Sequence, residues 1–206
     1  MLLMIHPDNP GERNLRMVID CLENDGVIIY PTDTVYGMGC SINSQKALDR
    51  IARIKGIKLE KANFSFICND LSNLSLYSKP IPNHIYKLMK RALPGPYTFI
   101  INASNNVPRI FHSKKKTVGI RVPDNNIPLE IVRMLGYPII STSIRDEDEI
   151  IEYTTDPELI HEKYEKLVDI VIDGGYGGNE ASTVIDCTSE EPVLIRQGKG
   201  LVDELL

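Results

Sequence analysis

The order in which short apolar runs and amphipathic segments follow one another constrains the fold most. Segment 13–24 (RNLRMVIDCLEN) places Leu15, Val18, Ile19 and Leu22 at helical spacing, with Gly26 beyond it as a stop. GVIIYPT then reads as a buried strand. Residues 44–56 predict a second helix, with Ser44 as its cap, Ala47, Leu48, Ile51 and Ile54 on its apolar face, and Gly56 ending it. FSFICND predicts a strand, 82–92 a helix, TFIINA and TVGIRVP two strands, 127–135 a short helix and YPIISTS another strand. A helix over 156–167, a strand at VDIVIDGG and a hairpin over STVIDCTSEEPVLIRQG complete the series. Helices and strands interleave, yet strands follow one another near the middle and the end. That order predicts an α/β fold: one domain over 1–206, a twisted mixed parallel and antiparallel sheet with flanking helices.

Size and charge narrow the function classes. At 206 residues the chain is long enough to close a substantial core. Its apolar runs fall far short of the roughly 20 residues a membrane helix needs. The start, MLLMIHPDNPGE, has neither a basic leader nor a sustained apolar stretch. These features predict a cytoplasmic protein with no membrane partner. Cys21, Cys40, Cys68 and Cys187 are isolated and lack CxxC spacing, and the four histidines are scattered, so buried reduced thiols and no metal site are expected. A net charge of −5 argues against wholesale nucleic-acid binding. Residues 109–121 nevertheless hold Arg109, Lys114, Lys115, Lys116 and Arg121 without an acid, either as a solvated loop or as a local patch for phosphate or RNA.

Polar clusters end one predicted strand after another. YPTDTVYGMG at 30–39 is crowded with hydroxyls and one acid, and Gly37 and Gly39 are expected to let the backbone turn closely beside them. Thr117 and Arg121 bracket a strand, Ser141, Thr142 and Ser143 end another, Ser182 and Thr183 open one, and Arg196 closes the last. Each alone reads as a turn; together they predict a composite pocket at strand ends. Lys55, Lys58, Lys61, Arg121 and Arg196 suit phosphate and carboxylate oxygens, although Lys55 alone also reads as a solvated helix end. No Ser/His/Asp arrangement, HExxH, GxxxxGK[ST] or GxGxxG occurs, which disfavours nucleophilic hydrolysis, zinc proteolysis and the common nucleotide folds. Gly174-Gly175-Tyr176-Gly177-Gly178 reads as a mobile turn.

Taken in order, YPTDTVYGMG, PGPYTFI, KTVGIRVP, PIISTS, ASTVID and LIRQGKG resemble the YrdC/YciO family from about Gly26 to Gly198. Its best-understood members are threonylcarbamoyl-adenylate synthases. The resemblance implies a YrdC-like (YrdC/RibB) fold with a concave, positively charged face. It implies formation of L-threonylcarbamoyladenylate and pyrophosphate from threonine, bicarbonate and ATP, with Mg²⁺, the product supplying the t⁶A modification at position 37 of tRNAs. On this likeness Lys55 and Lys58 are catalytic cations, and Thr32, Arg121 and Ser182 contact threonine. Thr117, Ser141, Ser143 and Arg196 contact the nucleotide. The alternative is a double-stranded RNA or tRNA-binding protein using Lys114, Lys115 and Lys116, since duplex RNA is recognised by shape and backbone. Two departures resemble the YciO branch. Lys55-Gly56-Ile57-Lys58 stands where the synthases carry Lys-x-Arg-Pro, and Ser143-Ile144-Arg145 stands for Ser-x-Asn.

Overall fold

Apolar residues alternate with small or polar ones along the central strands, and that alternation decides how the sheet is covered. The computed structural model describes residues 1–59, 64–105, 107, 116–144, 155–203 and 205. Its strands are β1 (Leu2–Met4), β2 (Val27–Tyr30), β3 (Gly37–Ser41), β4 (Ser65–Ile67), β5 (Tyr97–Asn102), β6 (Thr117–Arg121), β7 (Ile139–Ser143), β8 (Ile170–Asp173), β9 (Thr183–Asp186) and β10 (Val193–Arg196). They form one sheet in the order β1-β8-β2-β3-β7-β4-β6-β5-β9-β10. The β1–β8, β8–β2, β4–β6 and β5–β9 pairs are parallel and the others antiparallel, the mixed sheet that the segment order predicts. The described helices are α1 (Glu12–Glu23), α2 (Gln45–Ile54), α3 (Leu74–Tyr77), α4 (Asn83–Ala92), α5 (Asn126–Leu135) and α6 (Pro157–Tyr164).

One face of the sheet carries Ile29, Met38, Cys40, Phe66, Phe99, Ile120, Ile140 and Ile185, buried against α2, α4 and α6. On the other face α1 and α5 bury Leu15, Val18, Leu22, Ile127 and Ile131 against Ile28, Tyr30, Ile139, Ile170 and Ile172. Those two helices therefore cover the β8–β2 side of that face. Further along, toward β9, the same face is lined by small and hydroxyl-bearing residues instead.

Local signals account for most helix ends. The Ser44 hydroxyl accepts from Ala47 N–H at 3.0 Å, and Gly56 takes a left-handed φ of 63° after α2. At the end of α1 the left-handed residue is Asp25, with φ 61°, rather than Gly26. Gly26 is required for a different reason, because a Cβ there would lie 2.2 Å from Cys21 Sγ. The larger difference is β3. Residues 37–41 form a strand paired with β2, Tyr30 opposite Gly37, so the polar loop is only 31–36. Two glycines lower the strand propensity of that segment, while Met38 and Cys40 still alternate onto the core. The edge strand β1 and the single-turn α3 are likewise absent from the sequence expectation.

Candidate functional site

Strand register aligns a row of residues across this face, from the part covered by α1 and α5 toward the small side chains beyond it. Ile28, Gly39, Ser141, Ser65, Gly119, Ile100 and Asp186 are successive neighbours across seven strands. One row away Tyr30, Gly37 and Ser143 are aligned, and on the other side Ser41, Ile139, Ile67 and Arg121. The period of two places all of these on one face, together with Thr117, Thr98, Val184 and Arg196.

The glycines of β3 serve this face. A Cβ on Gly37 would lie 2.9 Å from Tyr30 Cζ, and one on Gly39 would lie 3.1 Å from Tyr30 Cε1. Tyr30 thus lies across β3 and donates its hydroxyl proton to Ser141 Oγ at 2.5 Å. The expectation that Gly37 and Gly39 turn the chain is corrected: both are strand residues that make room for a ring. Burial pushes the Tyr30 phenol up to about 12, against the opposing pull of the Ser141 hydrogen bond and the positive charge of Arg121.

Loop 31–36 folds back over the face. Arg121 stands in the row of Ser41, about 13 Å along the strand direction from the row where the loop re-enters at Gly37. Its Nη2 nevertheless donates to Asp33 Oδ1 at 3.2 Å and to Thr34 Oγ1 at 3.0 Å. Thr34 Oγ1 lies 3.0 Å from Thr32 Oγ1, and the Thr32 hydroxyl donates to Val35 O at 2.7 Å while accepting from Thr34 N–H. With the Thr32 proton committed to Val35, Thr34 donates to Thr32. One directed chain therefore runs from Arg121 through Thr34 and Thr32 into the loop backbone. Thr32 is buried and its hydroxyl is used within the loop.

The glycine-rich segment covers this loop. The Tyr36 hydroxyl donates to Gly175 O at 2.7 Å, and Gly178 N–H donates to Thr34 O at 2.8 Å. A Cβ at Gly177 would lie 2.6 Å from Tyr36 Cδ2, and one at Gly178 2.6 Å from Thr34 O. The run is a close-packed lid on the 31–36 backbone, a role its composition alone does not reveal.

At the β9–β10 end, the buried Ser182 hydroxyl pairs with Thr98 Oγ1 at 2.8 Å. The Arg196 guanidinium forks onto Ser182 O at 2.8 and 3.2 Å. Asn179, Glu180, Ala181, Arg196, Gln197 and Gly198 line a cleft of about 340 Å³ there. Lys199, in the LIRQGKG segment, donates from Nζ to Asp33 O at 2.6 Å and ties this end to the loop.

Of the residues singled out in the sequence, Thr117, Arg121, Ser141, Ser143, Ser182 and Arg196 share this face, and Thr32 joins it through Thr34. Ser143 is exposed opposite Gly37, and Thr117 is half-buried opposite Asn102. Lys55 caps the C-terminus of α2, whose buried residues pack on the other face, and Lys58 is exposed beyond it. Lys116 is exposed with a φ of 48°, whereas Lys61, Lys114, Lys115 and Arg145 lie outside the described residues. Asp33, Thr34, Thr98 and Lys199 lie inside the segments YPTDTVYGMG, PGPYTFI and LIRQGKG, but the motifs assign none of them a ligand contact.

Residues 20–198 match the Sua5/YciO/YrdC family model, described as "Telomere recombination". The chain belongs to this family. It is 43% identical to YciO of Escherichia coli over 98% of this chain and 97% of that one. The crystal structure of E. coli YciO superposes with a TM-score of 0.92, at 42% identity, over 100% of this chain and 99% of that one. More distant Sua5/YciO/YrdC relatives carry an activity in their names. A threonylcarbamoyl-AMP synthase of Pyrococcus abyssi is 30% identical over 94% of this chain, which spans 56% of its length. P. abyssi Sua5 complexed with L-threonine has a TM-score of 0.88 at 28% identity, over 99% of this chain and 59% of that one. The family link to threonylcarbamoyl-AMP synthases and the mixed-sheet fold therefore hold. No described helix is long and apolar enough to cross a membrane.

Proposed function

We propose that this protein forms L-threonylcarbamoyladenylate from threonine, bicarbonate and ATP in the cytoplasm, for the t⁶A modification of tRNA. One observation carries the reading: a buried guanidinium, Arg121, faces a band of serines and glycines with its Nε–H lacking an acceptor among the described residues. A carboxylate supplies that acceptor, and the family includes a Sua5 complexed with L-threonine. Arg121 would hold the threonine carboxylate, with Ser182 beside it. The Thr34–Thr32 chain would orient Arg121 instead of touching the ligand.

In the reaction, the threonine ammonium first loses a proton to solvent, the resulting amine forms an N–C bond with the bicarbonate carbon, and water leaves. A carbamate oxygen then attacks the α-phosphorus of ATP, and the bond to pyrophosphate breaks. Such chemistry rests on alignment and charge neutralisation and needs no protein nucleophile. Thr117, Ser141, Ser143 and Arg196 would contact the nucleotide, and Lys55 and Lys58 would offset phosphate charge. Among the described residues no three His, Cys, Asp or Glu side chains converge as a metal site. The hydroxyls and guanidiniums of the face suit anions, so Mg²⁺ would enter with the ATP phosphates.

The test is pyrophosphate release by the purified chain with ATP and bicarbonate, with and without L-threonine. Threonine-dependent release is expected, and Arg121→Ala should lower it by about 100-fold or more, as loss of a buried charged contact does. Absence of threonine-dependent release at high protein concentration overturns the reading, and full activity in Arg121→Ala overturns the role of Arg121.

A further inference from the structure

Asp33 and Arg121 form a buried pair that is only half closed. Their side chains are 8% and 11% exposed, and the contact between them is Nη2 to Oδ1 at 3.2 Å. Among the described residues, Asp33 Oδ2 and Arg121 Nε are both buried without a hydrogen-bond partner. Two buried ions that served only each other would close as a fork and satisfy both atoms at once. Leaving both open costs the desolvation of each. The open geometry is held from several sides. Thr34 Oγ1 accepts a hydrogen bond from Arg121 Nη2, Lys199 Nζ donates to the Asp33 backbone carbonyl, and Gly178 N–H donates to Thr34 O.

The occupant of such a pair accepts from a guanidinium and donates to a carboxylate. An anion alone would satisfy Nε and be repelled by Asp33. A group carrying an anion and a cation on one carbon answers both. We propose that Asp33 binds the α-ammonium group of an amino-acid substrate while Arg121 takes its carboxylate. The inference rests on the threonine reading above and adds a specificity determinant to it: Asp33 selects α-amino acids over acids lacking the amine, and it fixes the nitrogen on which the carbamate is built.

The test is equilibrium binding by calorimetry and ligand-observed NMR, using the full chain and three probes. L-threonine carries every group, L-alanine keeps the zwitterion without the hydroxyl, and 3-hydroxybutyrate is threonine without its amine. Asp33→Asn should weaken threonine and alanine about 10- to 100-fold, the range for a hydrogen bond to a charged group. It should leave 3-hydroxybutyrate unchanged or tighter, whereas Arg121→Gln should weaken all three. Circular dichroism checks folding, and Asp33→Ser serves as a second variant if Asp33→Asn unfolds. Equal weakening of all three probes by the Asp33 variants would mean that Asp33 acts through Arg121 alone, and overturns the proposal. Weakening of threonine but not alanine would assign Oδ2 to the side-chain hydroxyl, and also overturns it. Unchanged threonine binding overturns it while leaving the threonine reading intact. Failure of the unsubstituted chain to bind threonine overturns both.

Discussion

Replacing Gly39 by alanine tests whether the face is built around Tyr30. The new Cβ would lie 2.7 Å from the Ile140 carbonyl oxygen, 3.1 Å from Tyr30 Cε1 and 3.7 Å from Ile139 Cδ1. The first of these is backbone of β7, paired with β3 along Gly37–Ser41, and the ring is fully buried with its hydroxyl on Ser141. Neither neighbour can withdraw without breaking a ladder or a buried hydrogen bond. Overpacking of this kind costs about 1–3 kcal/mol, and restriction of the unfolded chain by alanine returns about 0.4–1 kcal/mol. The net expectation is a loss of about 1–2 kcal/mol, or a melting point lower by about 2–8 °C for a chain of this size. Urea and thermal unfolding followed by circular dichroism measure it, and a midpoint equal to or above wild type would refute the reasoning. A second arm isolates the ring. The three nearest contacts of a Cβ at Gly37 are with side chains: Tyr30 Cζ at 2.9 Å, Tyr30 Oη at 3.0 Å and Ser141 Oγ at 3.1 Å. Gly37→Ala should therefore cost at least about 0.5 kcal/mol less in a Tyr30→Leu background. Strict additivity would show that something other than the ring demands glycine.

Because burial holds the Tyr30 phenol up to about 12 from 10.0, the unfolded chain ionises first, and this contribution is lost as pH rises from about 10 to about 12. Across that window wild type should lose about 2 kcal/mol more stability than Tyr30→Phe, read from urea midpoints; equal losses contradict the assignment. At the start of α2, Ser44 accepts from Ala47 N–H at 3.0 Å and donates to Asp25 Oδ1 at 2.6 Å. Ser44→Ala should cost about 1–2 kcal/mol in the same assay, and an unchanged midpoint rules out a working cap.

The architecture was legible wherever periodicity and punctuation agreed. Leu15, Val18 and Leu22 announce α1 by spacing alone, and Ser44 and Gly56 bound α2 by capping chemistry. Arg121, Ser143, Ser182 and Arg196 could be gathered because each sits at or beside a strand end, where α/β sheets collect ligands. What stayed hidden depends on neighbours distant in sequence. Gly37 and Gly39 look like turn residues until Tyr30 is seen lying across them, which is why β3 was missed. Asp33 stands between two threonines and reads as a turn acid, since its partner lies 88 residues away. Lys199 lies in the LIRQGKG segment without an assigned partner, and only the return of the C-terminal segment past Ala181 brings it to Asp33. Gly174–Gly178 carries the composition of a flexible turn, whereas its glycines are dictated by contact with Tyr36 and Thr34.

The row of Gly39, Ser141, Ser65 and Gly119 has an entropic consequence. Glycine has no rotamers to lose and serine few, so a ligand settling on this floor immobilises almost no side-chain freedom. Long, flexible side chains would have to be ordered at each binding event. Here that ordering is confined to the rim, where Arg121 is already fixed by Thr34 and Arg196 by Ser182. The surface is thus preorganised by having little to organise. On the proposed reading, recognition would fall to a few charged groups around an inert floor, and a change of one cation at the rim would retune the ligand without disturbing the sheet beneath.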